Sequence, residues 1–462
     1  MAKDNLNIQH GLLFTKHKVI LENLQMEQVI YKFEEHKIMG CCTLKCGGIT
    51  SMVLGIAILL AGSIGGFVGF PALFKSEVRK QAVLENGTDT WAAWMEPPVG
   101  IYQNFTFFNV LNPDEVLSGG KPSLSEVGPF VYRQDRKKII VNAETPDGTI
   151  IYKEIKYWFF DAEKSAPLKE DTVVTIINPV LTANGTDDGN FEIETGKNNP
   201  DNLGLIRSWQ NSPYLDNYWH NLDGQNSCNK INGTDGSIFG PFTIGTDKTQ
   251  RLYVFSTDLC RSLYLTYNSD ITHFGIKTRR YTSPQAALAS PVDNPENLCF
   301  CHDIDHPELC HGATLGLESC QFGAPVVMST PHFYTTTSSE LRSDFDGINP
   351  SRELHETYLD LDPIVSVPLK ARKRIQINLR VKKSYPFPSF QGLKKDYYFP
   401  VLWVEEGADI DQATADLLKA QVYAVIYALD ITGWAITSIG MILTLAGLLL
   451  TVQAFKKSKN DV

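Results

Sequence analysis

Three cysteines and three histidines fall within thirteen positions: Cys299, Cys301, His302, His306, Cys310 and His311, in the stretch ENLCFCHDIDHPELCH. Thiolate sulfur and imidazole nitrogen are the usual ligands of structural zinc. In an oxidising compartment the same cysteines instead become disulfides. Only Phe300 separates Cys299 from Cys301, whereas zinc pairs are normally split by about two to four residues. On a strand, two cysteines at this spacing would share a face, so each would be directed to a different partner. The compartment decides between metal and disulfide, and the rest of the chain sets the compartment.

Catalytic patterns are broken or missing. The LHETY stretch at His355 falls short of H-E-x-x-H. Neither a G-x-S-x-G elbow nor a phosphate-binding glycine loop occurs. The expectation is therefore a protein that is not an enzyme and takes no cofactor or metal. A net charge of -10 over 462 residues argues against nucleic acid as a main partner.

Two segments carry no charge at all, Gly47 to Phe70 and Ile431 to Phe455. Each exceeds the roughly 20 residues a helix needs to cross a bilayer. Lys37 and Lys45 precede the first, and Lys456, Lys457 and Lys459 follow the second. Positive flanks favour the cytosol. The expected organisation is a cytosolic tail (1–46), a span (47–70), an extracellular or lumenal ectodomain (71–430), a second span (431–455) and a cytosolic tail (456–462). The protein would be multi-pass, with both termini cytosolic.

The sequons at Asn86, Asn104, Asn184 and Asn232 all fall inside the predicted ectodomain, which fits a glycosylated, oxidising side. Six of the nine cysteines lie there: Cys228, Cys260, Cys299, Cys301, Cys310 and Cys320. Disulfides are then the expected state. Cys41, Cys42 and Cys46 lie against the first span on the reducing side and are candidates for palmitoylation. Upstream, Val19, Ile20, Leu24, Ile30 and Phe33 make a weak apolar pattern; an unstructured accessory tail is favoured over an interfacial helix.

Runs such as NFTFFNVL, KKIIVNAE, TIIYKEIKYWFF, RLYVFS, PVVMS and KRIQINLRVKK alternate apolar and polar residues between Pro, Gly, Asn and Asp turns. They predict an α+β membrane protein whose ectodomain is rich in antiparallel strands. Basic clusters at Arg133, Arg136, Lys137 and Lys138, and at Lys370, Arg372, Lys373 and Arg374, are weak candidates for binding anionic lipid or modified lipoprotein. A solvated strand edge is the favoured reading of both.

The phrases SEVGPFVYR, VFSTDLCRSLYLTY, ASPVDNPENLCFC, CQFGAPVVMSTPHF, DGINPSRELHETYLDLDPI and PVLWVEEGADI resemble the class B scavenger receptors, which include fatty acid translocase, high-density lipoprotein receptor and lysosomal integral membrane types. The resemblance implies an irregular β-barrel with a lipid-accessible tunnel and pairing of Cys228 with Cys299, Cys260 with Cys320 and Cys301 with Cys310. It implies a scavenger receptor that binds lipoproteins, fatty acids or other lipids and mediates their uptake or transfer to the membrane. Its partners would be those lipids and the bilayer, with homo-oligomers allowed. The alternative is a trafficking or adhesion receptor for a protein ligand, of the lysosomal sorting type. The AFKKSKNDV tail lacks an acidic di-leucine signal, which favours the plasma membrane over the lysosomal membrane. After Leu181 the family continues into helices of a membrane-distal apex; here TANGTDDGNFEIETGKNN follows directly, as though that apex were deleted.

Overall fold

The computed structural model describes residues 44–143, 145–177, 187–337 and 339–460. The N-terminal apolar pattern, Cys41, Cys42 and Asn184 lie outside them. The contacts divide into two units, one of Met1–Pro71 with Tyr427–Val462 and the other of Ala72–Ile426.

The first unit is built on two long apolar helices. Helix α1 (Leu44–Ile64) passes through a π-turn (Gly65–Gly69) into α2 (Phe70–Gln81). The second long helix is named below, after the helices that precede it. Along the first, Gly48, Gly55 and Gly62 recur every seventh residue. They meet Thr451, Thr444 and Thr437, which recur with the same period. This antiparallel contact sets side by side the two helix ends nearest the chain termini. Few residues of the apolar windows are buried by protein; Ile64 and Ile442 remain 63% and 65% exposed. An apolar surface of that extent is stable against acyl chains and not against water. The number of crossings the described helices support is two, so "multi-pass" overstates what is a two-span protein with its termini on the same side.

In the second unit, α3 (Asp89–Met95) starts at Thr88, whose side chain accepts the Trp91 N–H. Near the end of the unit, α4 (Gln412–Leu418) is capped likewise by Asp411. A π-turn (Lys419–Tyr423) then leads to α5 (Ala424–Asn460), the second long helix.

Between them lie thirteen strands: β1 (Ile101–Val110), β2 (Leu124–Asn142), β3 (Thr149–Phe160), β4 (Asp187–Glu194), β5 (Ile206–Trp209), β6 (Leu252–Ser256), β7 (Arg261–His273), β8 (Ile276–Thr282), β9 (Thr314–Gly316), β10 (Val326–Ser329), β11 (Tyr358–Leu361), β12 (Pro368–Val381) and β13 (Tyr397–Asp409). They pair antiparallel in the order β5-β4-β3-β2-β1-β13-β12-β11-β8-β7-β6, with β10 on β12 and β9 on β10. The two ends of this path are bridged by one short segment. Ile206 of β5 donates its N–H to Gly233 O (2.9 Å), and Phe255 of β6 donates to Thr234 O (2.8 Å). The Trp209 and Phe255 rings sit 5.8 Å apart across the same seam. Gly233 has φ +84°, and a Cβ there would collide with the Tyr253 carbonyl, so only glycine fits. The seam closes the sheet into an irregular barrel.

Candidate functional site

The cysteine-rich stretch is a disulfide knot. Cys228 is bonded to Cys299, Cys260 to Cys320, and Cys301 to Cys310, with Cα separations of 6.4, 6.4 and 5.7 Å. Cys299 and Cys301 do not lie on a strand. Pro295–Phe300 is a 3₁₀ turn started by the Asn294 side chain, and Cys301 ends it. Their divergence comes from that turn and not from strand alternation. The Cys301, His302 and Cys310 ligand atoms lie close enough together to hold a metal, but both sulfurs are spent in the S–S bond. His302 Nδ1 sits 3.2 Å from the Cys310 sulfur, and burial lowers the His302 pKa. His306 is exposed beside Glu308. His311 packs edge-on to Tyr398, and burial pushes its pKa down as well.

The two basic clusters come apart on folding. Both lie on strands, where alternate side chains point to opposite faces. Register pairs Gln103 with Glu406, Glu406 with Lys373, Arg136 with Lys156 and Lys138 with Glu154. Arg136, Lys138 and Lys373 therefore share one face. Arg133 and Lys137 point to the other, as do Lys370, Arg372 and Arg374.

Nearly all of these cations are committed to carboxylates. Arg136 bonds Glu406 (2.7 Å) and approaches Glu154 (3.7 Å); Lys138 also takes Glu154 (3.2 Å) and Lys373 takes Asp258 (2.7 Å). On the other face Arg372 and Arg374 hold Glu405, and Lys370 and Arg372 hold Asp409. Arg133 pairs with Asp135 at the surface, and Lys137 is exposed.

The face with Glu406 has a second property. Burial is the largest influence on the Lys373 and Glu406 pKa values, and their opposite charges outweigh it, holding Lys373 up and Glu406 down. Yet Lys373 and Asp258 keep 35% and 49% of their side-chain surface accessible. These two charged groups thus keep contact with water on the face they share with Glu406. The face continues through Phe105, Phe107, Leu402, Ile375 and Ile377, joined by direct register pairs to one another or to Val404. Each of those five is only partly buried. An apolar wall thus runs into a charge-balanced polar one.

A second cluster was not singled out from sequence. The His332 and His355 rings stack at 4.4 Å and are 2% and 3% exposed. The backbone N–H of Asn349 donates to His332 Nδ1 (2.9 Å), and that of Ser351 donates to His355 Nδ1 (2.9 Å). His332 Nε2 then donates to Glu126 (3.0 Å), which also accepts from Trp403 (2.6 Å). The bond from His332 leads the influences that lower the Glu126 pKa. The sequence carries no comparable mark: His332 sits in STPHF, and its φ of +52°, rare for a residue with a side chain, is visible only in the fold.

Of the sequons, Asn86 is exposed and Asn232 is partly buried at the barrel seam. Asn104 lies within β1, and its Nδ2, the atom a glycan would need, donates to Glu405 (3.2 Å). Cys46 is disulfide-bonded, and Cys41 and Cys42 lie outside the described residues.

The chain matches the CD36 family over residues 53–183 and 181–451. The chain belongs to that family. It is 31% identical to human Lysosome membrane protein 2 over 446 residues, covering 83% of this chain and 89% of the relative. It is 28% identical to Sensory neuron membrane protein 2 of Manduca sexta, covering 84% and 90%. With Scavenger receptor class B member 1 of Cricetulus griseus the identity is 26%, covering 89% of each. This family member is interrupted where the sequence places the lost apex: the two matched segments meet at residues 181–183. The 446 aligned positions also exceed the 83% of this chain that they cover, so the human relative carries residues with no counterpart here.

Proposed function

We propose that this chain is a class B receptor that takes fatty acids, sterol esters or lipoprotein-borne lipid and passes them to the bilayer, with its ectodomain on the extracellular side of the plasma membrane. The observation that supports the reading is the two-part wall inside the barrel. Phe105, Phe107, Leu402, Ile375 and Ile377 offer apolar surface to an acyl chain, at about 0.8 kcal/mol per buried CH2. The neighbouring rungs of Gln103, Glu406 and Lys373 are polar and charge-balanced, so a polar end is accommodated without being trapped by one net charge. No covalent step is required. The sorting-receptor alternative has no comparable observation behind it.

The test is uptake of a fluorescent fatty acid and of a labelled sterol ester by cells expressing the chain, normalised to surface level. Phe107→Glu, which sets a charge in the apolar wall, is expected to lower uptake per surface molecule severalfold. Unchanged uptake by that variant at equal surface level would count against the barrel interior as the route.

A further inference from the structure

Two residues beyond the first apolar run, the chain enters a cleft that the lipid-cargo reading does not use. Its volume is about 460 Å³, and it is lined by Ala72, Lys75, Ser76, Arg79, Lys80 and Val83 of helix α2 and its end, with Gly196, Lys197 and Pro200 from the turn after β4. No acidic residue is among those nine. Helical spacing places Lys75, Arg79 and Lys80 on adjoining turns of one helix. Arg79 holds the turn in place through Asp201 (2.9 Å), and the Lys75 ammonium lies 5.8 Å from the centre of the Phe242 ring. Among the described residues no ion pair takes Lys75 or Lys80. Lys197 adds a further cation that has a partner of its own.

Lys75 and Lys80 differ from the cations on the strands, where almost every one is answered by a carboxylate. Two lysines without an ion-pair partner beside one cleft, next to the paired Arg79, call for an anion. The cleft is much larger than a bare phosphate and falls in the size range of organic-ligand sites. Ala72, Val83 and Pro200 supply apolar surface beside the charges. Ala72 follows Phe70 so closely that the chain cannot separate them by more than about 7 Å. Cations this near a span on the translocated side also run against the usual charge bias of membrane proteins.

We propose that this cleft binds the phosphate-bearing headgroup of a bilayer phospholipid, with Lys75 and Lys80 on the phosphate oxygens and Arg79 as the fixed wall. The proposal rests on the membrane placement of the chain and is independent of the cargo it carries.

The experiment uses the purified full-length chain in detergent micelles. It is titrated with a short-chain phosphatidic acid, with the diacylglycerol of the same chains and with inorganic phosphate, and binding is read by thermal shift. Phosphatidic acid should bind and diacylglycerol should not, with inorganic phosphate weaker than the lipid. The double variant Lys75→Gln, Lys80→Gln should bind phosphatidic acid roughly thirtyfold more weakly. Lys75→Arg, Lys80→Arg should retain binding, which guards against a variant that merely misfolds. Undiminished binding by the glutamine variant overturns the proposal. So does equal binding of diacylglycerol, or inorganic phosphate binding as tightly as the lipid, or loss of binding in a folded arginine variant. None of these readings depends on lipid uptake.

Discussion

Gly62 and Thr437 lie so close that a methyl group on Gly62 would sit 2.7 Å from the Thr437 backbone nitrogen and 2.9 Å from its hydroxyl oxygen. The same relationship recurs one heptad away at Gly55 and Thr444 and again at Gly48 and Thr451, where the methyl would lie 2.8 Å from the backbone nitrogen. In hydrocarbon no hydrophobic effect drives two helices together, so close backbone packing of small residues has to supply the contact. Gly62→Leu should force the helices apart. Thiol cross-linking between Ser51→Cys and Leu443→Cys, at sites joined by the Ser51 hydroxyl on Leu443 O (3.2 Å), checks this. Efficient cross-linking in the parent background and its loss on adding Gly62→Leu is the expected result.

Arg136 and Lys137 are neighbours in the chain with opposite fates. Arg136 is 16% exposed and shared between Glu406 and Glu154, whereas Lys137 faces solvent. Removing one partner of a buried charge network leaves the others uncompensated, at a cost of about 3 kcal/mol. Arg136→Met should therefore lower the thermal midpoint clearly, and Lys137→Met should change stability by less than about 0.5 kcal/mol. If the sequence cluster acted instead as one ligand patch, the two variants would weaken ligand binding alike while leaving stability similar.

His355 should make the fold acid-sensitive. Burial first, and the adjacent His332 ring second, push its pKa to about 4 from an ordinary 6.5. Between those values the unfolded chain takes up a proton that the folded chain refuses. Stability is then fully present above pH 6.5, falls as the pH drops toward 4 and stays lower beneath it, by at most about 3 kcal/mol. His355→Asn keeps an acceptor for the Ser351 N–H and removes the titration. Denaturant unfolding at pH 7 and pH 4.5 should show a smaller drop for the variant than for the parent.

Much of the frame was legible from sequence because its signals are local. Charge-free runs mark α1 and α5 without reference to any other residue. Alternation marks β1, β2, β3, β6, β10 and β12 for the same reason. The face each cation occupies was also implicit in that alternation, and reading Arg133 to Lys138 as one cluster ignored it. What stayed hidden depends on partners far away in the chain. Strand β5 is four residues long and is defined by its pairing to β4 and by Gly233. The His332–His355 stack joins two segments that are neighbours only in the fold. The glycine and threonine heptads were in plain view, but a period matters only when a second helix carries its complement.

The interrupted family match yields the final prediction. The segment after Leu181 is rich in Asn, Asp and Gly, yet Asp187–Glu194 is a strand with both edges occupied, by β3 on one side and β5 on the other. A strand fixed in the barrel wall cannot also fold over an opening, and residues 182–186 are too few to do so. Among the described residues, that strand thus does not stand in for the distal helices that the family resemblance implies. Inserting a relative's apical segment between Leu181 and Thr182 should raise lipid uptake per surface molecule severalfold and improve delivery to the surface, because a less exposed apolar opening aggregates less. The three disulfides and both long helices should be unaffected, since their residues lie outside the junction. Equal uptake and equal surface level with and without the insert would show that the apex is dispensable and that the barrel alone collects its lipid.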